Sequence, residues 1–389
     1  MELSFVKSIL VKKLTDISKA AGRLCSVPIL EGVYIEAGDD GVMLTCYNLE
    51  FGLTATIPAV VTQKGSAVVS ASGLLKLAKT MTGDTLTISA KTEEKPSPEE
   101  GTAPYKYYLV ELSNGSARFT VAGMDVESYP QMPEIGEAKE FSIPQRTLRS
   151  MTGQTLYAVA KSDARPVHMG ALFDLADGLL KLVTVDGYRL ALRREKVESS
   201  EQMSFVVPSL FLSNLVKLLN AKDESNARIS ASDKYVIFEF GEFKAFSRLL
   251  DGEFLKYNES IPGSSGKYIV SNVKELTSAL DRAVQISRNA SAKVPLRMLF
   301  CSDKVCLTLN THSGEYYEEI SCESHGIAQD MLMGFDVSYM MDALKSLDCD
   351  NVRMEFSSVY SPLKLVPTDG EECFVHLVLP VRLKDQQAA

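Results

Sequence analysis

Two short patterns recur three times along this chain at one fixed interval. The first is LSFVKSIL at 3–10, FSIPQRTL at 141–148 and IVSNVKEL at 269–276, each a short β-like piece running into an amphipathic helix. The second is VSASGLLKLAK at 69–79, VPSLFLSNLVK at 207–217 and FDVSYMMDALK at 335–345, again a strand, then a helix ending on lysine. From the first pattern to the second is 66 residues in every copy. A spacing kept three times restricts the chain to serial copies of one folding unit. The return interval is 72 residues after the first copy and 62 after the second. KTEEKPSPEEGTAP at 91–104 lies in the longer one and reads as a long, mobile hairpin tip that accounts for the difference.

Between the helices lie alternating stretches such as ILEGVYIEA, ALFDLADGLLKLVTV and LRMLFCSDKVCLTLN, with Asp39-Asp40-Gly41 and Ala176-Asp177-Gly178 at bends. Such bends between alternating runs signal β-hairpins. YPQMPEIGEAKE at 129–140 and IPGSSGK at 261–267 are turn-rich and read as linkers. The expected fold class is α+β: three repeated domains at 1–136, 137–264 and 265–389, each with two helices packed on antiparallel sheets.

Composition closes several functional classes. Hydrophobic content of 45% and charged content of 23% over 389 residues are ordinary for a chain with a sizeable core. No run of about 18 apolar residues suggests a membrane span, and MELSFVKSILVKKL reads as an amphipathic helix, not a signal peptide. Seven cysteines without a CxxC pattern, and His168, His312, His325 and His376 without ligand-like spacing, point to reduced thiols in a cytoplasmic chain and to no metal site. Gly266-Lys267 is followed by tyrosine, so it is no phosphate loop. Nothing of the G-x-S-x-G or H-E-x-x-H kind is present. Neither an enzyme nor a cofactor is expected.

The net charge of −9 looks unsuited to nucleic acid, but the charge is segregated. Six helix windows (6–21, 72–82, 145–160, 209–220, 273–287 and 338–347) hold Lys7, Lys12, Lys13, Lys19, Lys76, Lys79, Arg146, Arg149, Lys217, Lys274, Arg282 and Lys345. Their acids are only Asp16, Glu275, Asp281 and Asp342, so the helices carry +8 and the remaining chain −17. On a single helix such lysines are most simply a solvated face. Across three copies, they fit a basic surface that contacts the phosphate backbone without reading bases.

Several segments resemble one family closely. VDGYRLAL at 185–192, LLDGEFLKYNESIP at 249–262, GFDVSYMMDALKSLDCDNVRMEF at 334–356, LVLPVRL at 377–383, SVPILEGVYIEA at 26–37 and DARPVHMGALFD at 163–174 are similar, in order and spacing, to the bacterial DNA polymerase III β subunits, the sliding clamps. The resemblance implies a non-catalytic processivity factor: a ring-shaped homodimer around duplex DNA, cytoplasmic and nucleoid-associated, bound without sequence preference and without a membrane. It implies as partners the polymerase III α subunit, the clamp loader, and other polymerases and repair proteins, each inserting a linear motif with a glutamine and apolar residues. The implied peptide cleft comprises His168, Val185, Gly187, Tyr188, Arg189, Leu190, Pro208 and Leu212 from the second domain. Tyr339, Tyr360, Pro362, Leu377, Leu379, Pro380, Val381, Arg382 and Leu383 come from the third. Read alone, Leu377 and Leu379 are plain strand alternation, and Arg189 is either a clamp on a partner's backbone or an inter-strand brace. The implied dimer contact sets Arg118, Phe119 and Val121 against Ile286. Arg23 and Arg165 join the DNA-facing residues, Arg23 lying one place before the family's position. A tail, Lys384–Ala389, follows the family's closing P-x-R-L segment and reads as a disordered end.

A different reading keeps the repeats but makes the chain a scaffold that binds only proteins, its basic helices merely solvated. An enzymatic reading stands third, because no ligand set supports it.

Overall fold

In each copy a strand feeds directly into a helix, and it does so in fixed register. The computed structural model describes all residues except 23–26, 39–40, 96–104, 163, 289–293, 313, 369–372 and 384–389. Its helices are α1 (Lys7–Ile17), α2 (Ala71–Thr80), α3 (Gln145–Thr155), α4 (Ser209–Leu215), the single turn α5 (Tyr257–Ser260), α6 (Val273–Arg288) and α7 (Val337–Lys345). Lys7 to Ala71, Gln145 to Ser209 and Val273 to Val337 are each 64 residues apart, two fewer than the pattern spacing because the second pattern begins two residues nearer its helix, so the fixed register read from sequence is kept by the helix starts.

One hydrogen bond repeats with the helices. The first N–H groups of a helix have no partner inside it. Lys7 N donates to Asp84 O at 2.8 Å, Gln145 N to Ser225 O at 3.0 Å and Val273 N to Asp350 O at 2.8 Å. In every copy, therefore, the turn after the second helix caps the first. Side chains cap other starts: Ser70 Oγ accepts from Gly73 N on α2, Asn272 Oδ1 from Lys274 N and Glu275 N on α6, and Asp336 Oδ1 from Ser338 N on α7. Each such cap stabilises by about 1 kcal/mol.

The described residues fall into two compact units, 1–145 with 217–249 and 146–216 with 250–389. In the first unit an eight-stranded sheet runs in the order 139–144, 226–231, 235–240, 243–248, 51–57, 41–47, 32–38 and 65–70. Its centre is a joint between copies, where Phe243 faces Ala55, Ala245 faces Leu53 and Ser247 faces Phe51. A five-stranded sheet ends on strand 118–122. On α1, Leu10, Leu14 and Ile17 are fully buried, the helical period that drives α1 onto its neighbours.

The second unit holds a nine-stranded sheet in the order 203–208, 170–176, 179–185, 189–196, 374–378, 363–366, 351–355, 268–272 and 323–325. It has the equivalent joint, with Arg189 facing Val378, Ala191 facing His376 and Arg193 facing Phe374. A four-stranded sheet ends on strand 314–321. The α6–α7 pair covers a core that includes Leu276, Leu280, Met298, Phe335, Met340 and Leu344. Asp177 and Gly178, with φ of 52° and 70°, form the two-residue turn that the Asp-Gly signal predicts.

Several expectations are corrected here. Residues 91–95 are not hairpin tip but part of strand 85–95, which pairs with 105–113; the rest of that segment, 96–104, lies outside the described residues. So do Arg23, Asp39, Asp40 and the tail Lys384–Ala389. The stretch 129–140 begins as packed chain: Tyr129 is buried with its ring stacked 5.4 Å from that of Tyr34, and Met132 and Ile135 cover the same apolar patch. The helix windows 6–21, 145–160 and 209–220 are too long, because α1 and α3 end in 3-10 turns at 18–20 and 156–158, and α4 stops at Leu215.

Candidate functional site: an apolar cleft and a basic helix surface

The cleft residues belong to the second unit and are built around its joint. Asp186 Oδ1 accepts hydrogen bonds from Tyr188 N at 3.0 Å and Arg189 N at 3.1 Å, closing a tight turn. Gly187 occupies the left-handed region at φ +86°. That turn lifts Tyr188 clear of the surface, 61% exposed. Strand 374–378 lies alongside, with Leu377 facing Leu190, and Leu379 N donates to Tyr188 O at 2.8 Å. Beyond it, Val381 N donates to Gly334 O at 2.7 Å. The chain can lie this flat because residue 334 lacks a side chain: a Cβ there would stand 2.6 Å from Leu383 Cδ2.

Leu190 and Leu377 join Leu192, Val206, Val366 and Val375 in one apolar cluster, flanked by Leu250, Phe254 and Ile261. Leu379, Val381, Arg382 and Tyr360 are exposed, and Pro362 and Pro380 are half-buried. Apolar walls with a few polar anchors are the composition of a peptide-binding hot spot. Seven of the implied cleft residues, His168, Val185, Arg189, Leu190, Leu212, Leu377 and Leu383, are buried. His168 and Leu212, 1% and 0% exposed, are core side chains, and the His168 ring meets Phe254 edge-on at 5.6 Å. Leu212 lies on α4, outside the described cluster of Leu190 and Leu377, and Pro208 ends strand 203–208 facing Gly170.

Arg189 is the charged centre of the site. Its side chain is buried, with Nε 2.8 Å from Asp186 Oδ2 and Nη1 2.7 Å from Asp342 Oδ2. The guanidinium lies 4.4 Å over the Tyr339 ring and 5.3 Å from that of Tyr157. Burial opposes its charge, but the bonds to Asp342 and Asp186 prevail and raise its pKa. Both donors face carboxylates of this chain, which makes Arg189 a brace between a second-copy strand and α7. Tyr188 and Tyr339 approach with ring centroids 5.9 Å apart. Asp186, Tyr188, Arg189, Tyr339 and Asp342 together wall a cavity of about 530 Å³. Sequence reasoning did not single out Asp342, Tyr157 or Ile261. Asp342 was within reach of it, since three residues after Tyr339 on a helix is the same face.

The basic residues differ in their surroundings. Lys12, Lys76, Lys79, Arg146, Arg165, Lys217 and Lys274 are exposed. Lys13 is not: only 6% exposed, it pairs with Glu242 and lies 4.2 Å over the Phe243 ring. Burial lowers its pKa, and Lys12 adds to the shift. Reading Lys13 as a DNA-facing residue is therefore corrected; its charge is used within the first joint. Others face solvent with part of their charge answered nearby. Arg282 meets Glu318, Lys345 meets Asp281 at 3.0 Å, Lys19 meets Asp16 at 3.3 Å, Lys7 bonds to Met81 O, and Arg149 to Val216 O at 3.0 Å.

On strand 118–122, one edge of the five-stranded sheet, Arg118 and Phe119 are exposed and Val121 is half-buried. Ile286 of α6 comes close to strand 314–321, 3.7 Å from where a Cβ on Gly314 would be. Among the described residues, no group of histidine, cysteine and carboxylate side chains could hold a metal, and no helix is long and apolar enough to cross a membrane.

Three family models match in succession: the DNA polymerase III beta subunit N-terminal domain over residues 1–133, its central domain over 142–256, and its C-terminal domain over 258–382. A beta sliding clamp of Bacillus subtilis is 29% identical, covering 98% of this chain and 100% of its own length. One from Staphylococcus epidermidis is 27% identical, covering 98% and 99%. The crystal structure of the DNA polymerase sliding clamp from Bacillus subtilis superposes with a TM-score of 0.89 at 28% identity, over 98% of this chain and 99% of that one. A putative DNA polymerase III beta subunit from Eubacterium rectale shares the fold with a TM-score of 0.88 at 23% identity, covering 98% and 100%.

Proposed function

The chain belongs to the DNA polymerase III beta subunit family, and from that premise we propose that it is a non-catalytic DNA sliding clamp. Two copies close head to tail into a ring around duplex DNA and tether partner proteins through the cleft.

The single observation that carries this reading is the pair of open edges. Each internal joint pairs the last strand of one copy's second half with a strand of the preceding copy. By position in the repeat, strand 118–122 corresponds to 243–248 and 374–378, and strand 314–321 to 51–57 and 189–196. Unlike their counterparts, which are paired at the internal joints, these two strands each lie at an edge of their sheet among the described residues. The chain thus carries one half of the same joint at each end, a heterologous pair of surfaces that two chains satisfy by closing. Carrying the internal register across sets Phe119 opposite Tyr316 of the second copy, Arg118 opposite Tyr317, and Val121 opposite Gly314. A ring of six copies would give the exposed lysines and arginines of the long helices phosphate charge to meet, without base readout. Topological linkage would then retain the protein on DNA while leaving it free to slide.

For partners, the cleft would take linear segments with a glutamine and apolar residues from the polymerase III α subunit, the clamp loader, and other polymerases and repair proteins. The protein would act in the cytoplasm at the nucleoid. The test is retention after loading: a ring stays on nicked circular DNA and runs off linear DNA, whereas equal retention, or a sedimentation mass of one chain at micromolar concentration, contradicts a ring. Deleting Leu379–Leu383 should abolish polymerase stimulation while leaving the dimer intact.

A further inference from the structure

The turn at Asp186–Arg189 has a counterpart in the first copy, Asn48-Leu49-Glu50-Phe51, at the same place in the first joint. The backbone is alike. Asn48 Oδ1 accepts from Glu50 N at 3.1 Å and Phe51 N at 2.9 Å, and Leu49 takes the left-handed φ of 73° that Gly187 takes in the second. The charges are not alike. Phe51 stands where Arg189 stands, and at the place in α4 that matches Asp342 in α7 the sequence has Asn214. Guanidinium and carboxylate are missing together from the first copy's joint and present together at the second.

We infer that Asp342 is a positioning residue for the peptide cleft: by anchoring Arg189 it holds Tyr188 and Tyr339 together as one aromatic wall. The inference rests on the cleft reading above and names the residue that sets the cleft's shape. Of the two carboxylates on Arg189, Asp186 belongs to the arginine's own turn, so only Asp342 ties that turn to α7. Asp342 and Tyr339 share a face of α7, three residues apart, and Arg189 touches both, by ion pair and by ring contact. Without the Asp342 carboxylate, Arg189 keeps Asp186 and the turn keeps its shape, but no charged tether crosses to the helix. Tyr188, mostly exposed and 5.9 Å from Tyr339, is then free to leave it. All five residues also wall a cavity of about 530 Å³ beside the aromatic pair, so that departure would reshape this wall. Asp342 itself need not touch the bound peptide.

The test measures binding of a short fluorescent peptide, with a glutamine ahead of two leucines, to the full chain. Asp342→Asn should weaken binding roughly tenfold, within the roughly 5–150-fold typical of coupling between a binding site and a residue outside it. Sedimentation should stay unchanged, the thermal midpoint should fall by only a few degrees, and Asp342→Glu should restore most of the affinity. In an Arg189→Met background, Asp342→Asn should have no further effect, since the carboxylate acts through the arginine. Unchanged affinity in Asp342→Asn overturns the inference, as does an equal loss in the Arg189→Met background, which would mean direct contact with the peptide. Failure of the unaltered chain to bind the peptide would instead remove the cleft reading, and the inference with it.

Discussion

The two joints inside this chain share a backbone and differ in what they do with it. Thr56 N donates to Glu242 O at 3.0 Å in the first, and Arg194 N to Cys373 O at 2.8 Å in the second. On the far side, Arg248 N donates to Glu50 O at 2.9 Å, and Leu379 N to Tyr188 O at 2.8 Å. These bonds fall at equivalent positions, so the joint is one repeated device. Its side chains diverge. The first joint is sealed: Lys13 is buried against Glu242 and Phe243, and Tyr47, Tyr129 and Phe246 fill the apolar patch beside it. The second is braced at Arg189 and leaves Tyr188, Leu379 and Val381 exposed. The backbone sets where copies meet, and a handful of side chains set whether the meeting place can receive a partner.

The largest expected effect concerns the third instance of the joint, between chains. Gly123 N donates inward to Tyr108 O, and alternation along strand 118–122 turns the N–H of Thr120 outward, to the side a second chain would occupy. Thr120→Pro removes that donor and spares the strand's bonds to its own neighbour. A cost of about 3 kcal/mol at each seam, of the kind proline imposes on a hydrogen-bonded backbone, counts twice in a ring with two seams and would weaken the dimer roughly ten-thousandfold. Sedimentation equilibrium reads it directly. A dimer of undiminished affinity would separate the open edges from the two internal joints.

Acid should distinguish the internal joints next. His376, in the second joint, is fully buried; desolvation, with Arg193 adding to it, depresses its pKa to about 3 although Ala343 O opposes the shift. Its counterpart in the first joint is Ala245, which does not titrate. The unfolded chain protonates this histidine near its ordinary value while the folded chain does not. The stability is therefore complete above about pH 6.5 and drains away as pH falls toward 3, by about 2 kcal/mol at pH 5. Urea midpoints at pH 7 and pH 5 should show that loss in the unaltered chain relative to His376→Leu. Equal pH dependence in the two proteins would show that His376 is protonated at no cost.

The smallest effect compares the same turn in the two joints. Leu49 bears a left-handed φ that Gly187 adopts without strain. Leu49→Gly should stabilise by about 1 kcal/mol, and Gly187→Leu should destabilise by about as much, because a Cβ on Gly187 meets nothing within 4 Å and only the backbone resists. Thermal denaturation measures both. If neither change moves the midpoint, the left-handed turns carry no strain.

Much of this was legible in the sequence, and for a physical reason. A strand-to-helix junction is local: caps, periodicity and turn residues lie within a few positions of one another, so the constant interval between patterns reappears as a constant interval of 64 residues between helix starts. What escaped depends on pairs far apart in the chain. Lys13 looked like one more basic helix residue, because Glu242, more than half the chain away, is what buries its charge. Arg189 could be either ligand or brace until Asp342 appeared beside it. His168, Leu190, Leu212 and Leu377 were carried over as cleft residues by resemblance, which conserves position along a segment but does not show that all four are buried.

The repeated joint also bears on how the chain can be divided. Any cut between copies leaves a strand whose neighbour has been taken away: a piece ending near residue 260 bares strand 189–196, and a piece beginning there bares 374–378. Those edges are complementary in register and in side chains. Split at that point, the protein has the makings of a complementation pair, two fragments that recognise each other through the five-residue seam that once joined them.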